Sequence, residues 1–267
     1  MVLNGIHKLI DTADSKRDNF PPTLLYNEGW LLRLALAWFA RHKVRAHPLA
    51  FEKGATWFSE ALLPSPFRPR HRGDRHAETR THADGIIGHF SIGRSTKADA
   101  RLLPDATQLI VVEAKMFSPL SSGTRNAPHF DQAARNVACV TELLGRANRR
   151  PSAMTSLAFF VVVPQSEIRA GAFTQKLDKT SIRAAVQARA ELFMPELQVW
   201  MDEWFLPTLE AIRIGVLSWE SIMDDIAPKD PKAFQSIKSF YERCLDVQRP
   251  RQKAFARLTT RQVVRKP

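Results

Sequence analysis

Three charged residues are spaced so that they can meet: Asp99, Glu113 and Lys115. Side chains alternate faces along a strand, so Glu113 and Lys115 share one side and Ala114 faces the other. Residues 97–103 and 108–117 both read as strands, with turn chemistry between them in Pro104-Asp105-Ala106, and an antiparallel hairpin is expected. With the turn centred on Ala106, Asp99 falls directly across from Glu113, where cross-strand Cβ atoms lie about 4.5–5.5 Å apart. Two carboxylates that close repel unless a cation lies between them. Hard oxygen donors at this spacing suit Mg²⁺, which one or two carboxylates hold together with water and phosphate oxygens. Lys115 is then placed to contact a bound water or a scissile phosphate. The run Leu109-Ile110-Val111-Val112 leads straight into these charges, and burying unpaired charge is costly enough that such placement is usually functional or paired. The competing reading is an ordinary Glu–Lys pair on a solvent face, because E-x-K alone is a weak motif.

Charge points to a polyanionic partner. The 267 residues carry 39 Lys and Arg against 27 Asp and Glu, a formal net charge of +12. From Val247 to Pro267 there are seven basic residues, among them Arg249, Arg251, Lys253 and Arg257, and no acid. A second stretch, from Arg68 to Arg101, holds seven Arg and one Lys against four acids. Such surfaces raise the local concentration of nucleic acid. The alternative is a basic surface that only aids solubility.

The surrounding pattern supplies elements to position the charges. Leu24, Leu31, Ala35 and Trp38 recur at helical spacing, which predicts a helix over 24–42. A proline- and arginine-rich loop follows over 64–80, then strand-like runs over 82–92, 97–103 and 108–117. Phe130, Ala134, Val137, Thr141 and Leu144 share a helical face over 129–144, ended at Gly145. Leu157–Val163 is an apolar run typical of a strand buried on both faces. The order helix, three strands, helix, strand implies an α/β core with a mixed sheet flanked by helices. Helices over 181–193, 196–206 and 232–245 and a strand over 212–217 are expected as a mainly helical C-terminal extension on the same sheet. The division expected is an N-terminal segment 1–20, a core 21–165, an extension 166–247 and a basic tail 248–267.

At this point the chain resembles the PD-(D/E)XK nuclease superfamily, over roughly Leu24 to Gln165. The resemblance rests on the element order and on Ala98-Asp99 followed by Glu113-Ala114-Lys115, with alanine where the name-giving motif has proline. It implies a restriction-endonuclease-like core. It also implies Mg²⁺, with Mn²⁺ as a substitute, ligated by Asp99, Glu113 and the carbonyl of Ala114, while Lys115 orients or activates water. Many members add a glutamate from the first helix, and Glu28 matches. Some carry a glutamine on the helix after the lysine strand, where Gln132 stands, although Asn136 replaces the tyrosine that follows it in that motif. A plain polar helix residue is the other reading of Gln132.

Asp84, one strand earlier, is either a further acidic ligand or a residue fixing the turn at Gly85. The histidines at 71, 76, 82 and 89 lack a zinc-ligand spacing and read as a solvated basic loop. Cys139, beside Val137 and Val140, reads as small buried filling. Ser118–Thr124 lacks the Walker spacing and is a phosphate-positioning loop or a simple turn. Two cysteines cannot build a disulfide framework, and the longest apolar run is far below the roughly 20 residues of a membrane helix. A cytoplasmic protein is expected, with nucleoid association allowed and no membrane partner. The expected function is a Mg²⁺-dependent nuclease acting on DNA in restriction, phage defence or repair, alone, as a homodimer or with a partner protein. The alternative is a non-catalytic nucleic-acid-binding or scaffold protein of the same fold.

Overall fold

In the computed structural model, the described residues are 21–263 apart from 43, 79, 94–97 and 124–125; side chains are described to 249, that of residue 80 apart. The expected N-terminal segment 1–20 therefore lies outside the described residues, as do the side chains of Arg251, Lys253 and Arg257 and the end of the loop 118–124.

The chain is α/β. Its main sheet has five strands in the order β1 (Thr56–Pro64), β2 (Arg80–Gly88), β5 (Gln108–Ala114), β6 (Ser156–Val163) and β7 (Arg213–Ser218). β1, β2 and β5 run antiparallel to their neighbours, while β5, β6 and β7 are parallel, so the sheet is mixed. Two short strands, β3 (Phe90–Ile92) and β4 (Ala100–Leu102), form a hairpin of their own. β5 and β6 read as near-continuous apolar runs because helices cover both faces of the sheet. One face packs under α1 (Glu28–Arg41), α6 (Trp219–Ile226) and α7 (Pro231–Val263). The other packs under α2 (Gln132–Arg146), α4 (Lys179–Ala190) and the π-helical turn Met201–Phe205 that leads into α5 (Leu206–Ala211). A short α3 (Gln165–Arg169) follows β6. No helix among the described residues is long and apolar enough to cross a membrane.

Local chemistry sets the helix starts that face the site. Pro21 and Pro22 open a 3₁₀ turn over Pro22–Leu24, and Asn27 then caps α1, its side chain accepting from Trp30 N–H. The helix thus begins at Glu28, and Leu24 lies outside it, exposed. Asp131 caps α2 in the same way through Ala134 N–H, which makes Gln132 the first helical residue.

The strand pairing differs from expectation. Residues 97–103 do not form a hairpin with 108–117; β4 pairs with β3, and the antiparallel partner of β5 is β2. Gly88 explains the diversion. Its φ is +148°, and a Cβ there would lie 2.1 Å from the carbonyl oxygen of Gln108, so only glycine allows the chain to turn out of β2 while β5 starts against it. The turn at 104–106 delivers the chain to β5 without adding a partner to it. β1, α3 and α6 are additions to the expected elements. The 56–64 strand carries Ser59 and Glu60 at its centre, and Glu60 has a φ of 55°, which breaks the alternation that marks a strand. The basic tail continues α7 as helix to Val263.

Candidate active site

The β2–β5 register decides which acid faces Glu113. The ladder runs through Gly88↔Leu109 to Gly85↔Val112, and one step further along it Asp84 stands opposite Glu113. There the ladder stops, and Asp84 Oδ2 accepts the Ala114 N–H at 2.8 Å, a side chain standing in for a main-chain rung. Across β2, Glu60 of β1 is likewise left out of the paired register. The first two strands therefore kink together at this level, which turns the Asp84 carboxylate toward the end of β5.

Asp99 is not part of this arrangement. It forms an isolated bridge with Leu62 on the side of β1 away from β2, so β1 and β2 both stand between it and β5. Three interstrand spacings of about 4.8 Å separate it from Glu113, about 14 Å in all, too far for a shared cation. Asp84, read from sequence either as a ligand or as a turn residue, takes the place expected of Asp99.

Glu113 is the centre of the cluster. Its side chain is 1% exposed, and Lys115 Nζ donates to its Oε1 at 2.5 Å. Gln132 Nε2, at the start of α2, donates to the same oxygen. Gln132 Oε1 in turn accepts from Ser121 N–H at 3.1 Å, and the Gln132 N–H donates to Ser121 C=O at 3.0 Å, so the loop after β5 is tied to the carboxylate. Glu113 Oε2 is buried with no hydrogen-bond partner among the described residues. Burial first, and the facing Asp84 charge second, push the Glu113 carboxyl up to about 8 against the pull of Lys115. Burial opposes the charge on Lys115, but Glu113, then Asp84 and Glu28, outweigh it and hold the ammonium above its usual range. Glu113 Oε2 has no donor among the described residues, and its burial keeps solvent from stabilising the anion.

The backbone beneath Lys115 is fixed on both sides. Its N–H donates to Val162 C=O at 2.8 Å, and its C=O accepts from the indole Nε1 of Trp219 at 3.1 Å. Glu28, at the first position of α1, is close enough for its charge to act on Lys115. α7 passes along the same rim. Gln248 Nε2 donates to Tyr26 C=O at 3.3 Å, and the Arg249 guanidinium lies 5.8 Å from the Phe117 ring, two residues beyond Lys115. The helix that carries the rest of the basic tail therefore departs from beside the cluster.

The donor set suits a hard divalent ion. Two carboxylates face one another, and one of their oxygens is buried without a hydrogen-bond partner among the described residues. Among the described residues no three of His, Cys, Asp and Glu converge, so the remaining positions around such an ion fall to main chain, water or substrate. Elsewhere, His89 bonds the main chain of Lys53 and Thr107, and Cys139 is buried, its thiol pushed up to about 12 by desolvation. No protein-family model, curated protein or solved structure matches the chain.

Proposed function

We propose that this chain is a Mg²⁺- or Mn²⁺-dependent nuclease with a restriction-endonuclease-like core, cleaving phosphodiester bonds in DNA. The observation that carries the reading is the convergence of Asp84, Glu113 and Lys115 at the end of one fully buried strand, with the basic α7 leaving from the same rim. Asp84, Glu113 and the carbonyl of Ala114 would hold the ion. When bound, the ion polarises the phosphodiester and lowers the pKa of water. Lys115 gives up its bond to Glu113 and turns its ammonium to the attacking water or the phosphate, where a fixed positive charge stabilises the charge that develops. Gln132 holds Glu113 Oε1 in orientation, which would leave Oε2 as the oxygen available to an ion. Glu28 adds a third negative charge near Lys115 and favours its protonated form. Arg249 and the helix beyond it grip backbone phosphates, which gives affinity without sequence preference.

The test is cleavage of supercoiled plasmid, linear duplex, single strands and RNA with Mg²⁺ or EDTA, for the wild type and Glu113→Ala. Metal-dependent cutting lost in the variant supports the reading. Salt-sensitive binding with no cutting in any condition replaces it with a non-catalytic nucleic-acid-binding protein.

A further inference from the structure

The basic residues of the stretch from Arg68 to Arg101 are not used by the catalytic cluster, yet the fold closes the stretch on itself. Leu62 N–H donates to Ala98 C=O at 2.8 Å, and the Leu62–Asp99 bridge lays the start of β4 along the open edge of β1. The C-terminal end of α2 packs over both. Between them lies a cleft of 730 Å³ into which Arg68, Arg101 and Arg146 converge, with Ser65 and Asp99 beside them. Arg68 and Arg146 share a single acid, Glu142, at 3.7 and 2.7 Å, and each keeps much of its guanidinium in solvent. Arg101 has no ion-pair or hydrogen-bond partner among the described residues. Three planar guanidiniums sharing so few acceptors retain donors for bidentate contacts with phosphate oxygens. α2 links this cleft to the catalytic end: Gln132 opens the helix and Arg146 closes it. Fourteen residue-to-residue rises of 1.5 Å make that span about 21 Å, or about six steps along a nucleic-acid strand.

We propose that the Arg68–Arg101–Arg146 cleft is a second phosphate-backbone site, which grips the same nucleic acid about six steps away from the bond that is cut. It rests on the nuclease reading above. It also gives Asp99 a defined effect, since a carboxylate among three guanidiniums weakens the grip on an anion.

Anisotropy of labelled DNA in EDTA tests the cleft, with a duplex of about 30 base pairs and a hairpin of about three that is too short to span both sites. Arg68→Ala/Arg101→Ala is expected to weaken the long duplex about tenfold or more and to reduce its log–log salt slope by about 2, with the short hairpin unchanged. Asp99→Asn is expected to tighten the long duplex, a gain that misfolding cannot produce. Wild-type affinity and slope in the double variant, equal weakening of both probes, or no gain from Asp99→Asn overturns the proposal. Cleavage of the long duplex with Mg²⁺, run in parallel, separates it from the reading on which it rests. Arg101-dependent binding without cleavage sinks the nuclease reading and keeps the cleft, whereas cleavage with unchanged binding in the double variant does the reverse.

Discussion

Replacing Glu113 by Gln in metal-free buffer should stabilise the fold at neutral pH and erase part of its pH dependence. The folded protein holds the Glu113 proton up to about 8, whereas an unfolded glutamate releases it near its ordinary value of 4.5. Between those values the native state binds more protons than the unfolded chain, so stability falls as pH rises through the window. One proton corresponds to about 1.4 kcal/mol per pH unit, so from about pH 5.5 to about pH 7.5 the wild type loses up to roughly 3 kcal/mol through this group. The amide keeps an acceptor for Lys115 and Gln132, and it gains a donor where Glu113 Oε2 has no partner among the described residues. It carries no charge to repel Asp84, so its stability should not follow this slope. Lys115 does not confuse the comparison, because its raised pKa makes a contribution that is lost only above the lysine's ordinary range. Thermal melts of both proteins across the window are the assay. For a chain of this size each kcal/mol is worth about 2–4 °C, so the variant should melt several degrees higher at the alkaline end and alike at the acid end. Mg²⁺ should raise the wild-type melting temperature most at the alkaline end and leave the variant unchanged. Parallel pH profiles for the two proteins would refute the electrostatics assigned to the cluster.

Lys115→Met should leave the Mg²⁺-induced rise in melting temperature intact and lower the cleavage rate about 10²- to 10³-fold, because it removes a transition-state charge and no metal donor; equal loss of both would make Lys115 a structural residue. Gly88→Ala should destabilise the fold by more than about 3 kcal/mol by chemical denaturation, since the new methyl meets the Gln108 carbonyl at 2.1 Å in a conformation that L-residues avoid; a near-neutral effect would mean that the β2–β3 bend is not required. Trp219→Phe removes the donor to Lys115 C=O while keeping the aromatic bulk, and should slow cleavage more than it lowers stability in the same preparations.

The parts of the fold that were legible in the sequence are those fixed by local pattern. α2, β5 and β6 lie close to where periodicity and unbroken apolar runs put them, because burial on one stripe or on both faces leaves a mark in a single segment. Glu113 and Lys115 were readable for the same reason, as charges at the end of a strand with no polar residue in its preceding run. Asp99 stands away from the cluster because the nearest two strand-like runs do not pair with each other. The partner of β5 lies instead beyond the β3–β4 hairpin, and the only local sign of that diversion is a glycine at 88. Asp84 had the one available signal, an acid before Gly85 in the preceding strand, but its position opposite Glu113 exists only in the long-range register. Glu28 and Gln132 show the same division. Their type came from resemblance, while their caps, Asn27 and Asp131, set where each helix begins and hence where each side chain stands.

Cleavage of supercoiled plasmid in Mg²⁺ by Asp84→Ala and Asp99→Ala, side by side with the wild type, puts the assignment of the acid facing Glu113 to the sharpest test. Asp84→Ala should be inactive and should lose the thermal stabilisation by Mg²⁺, whereas Asp99→Ala should cut and should keep it. A cutting Asp84→Ala protein, or an Asp99→Ala protein that is folded and inactive, would contradict the site described.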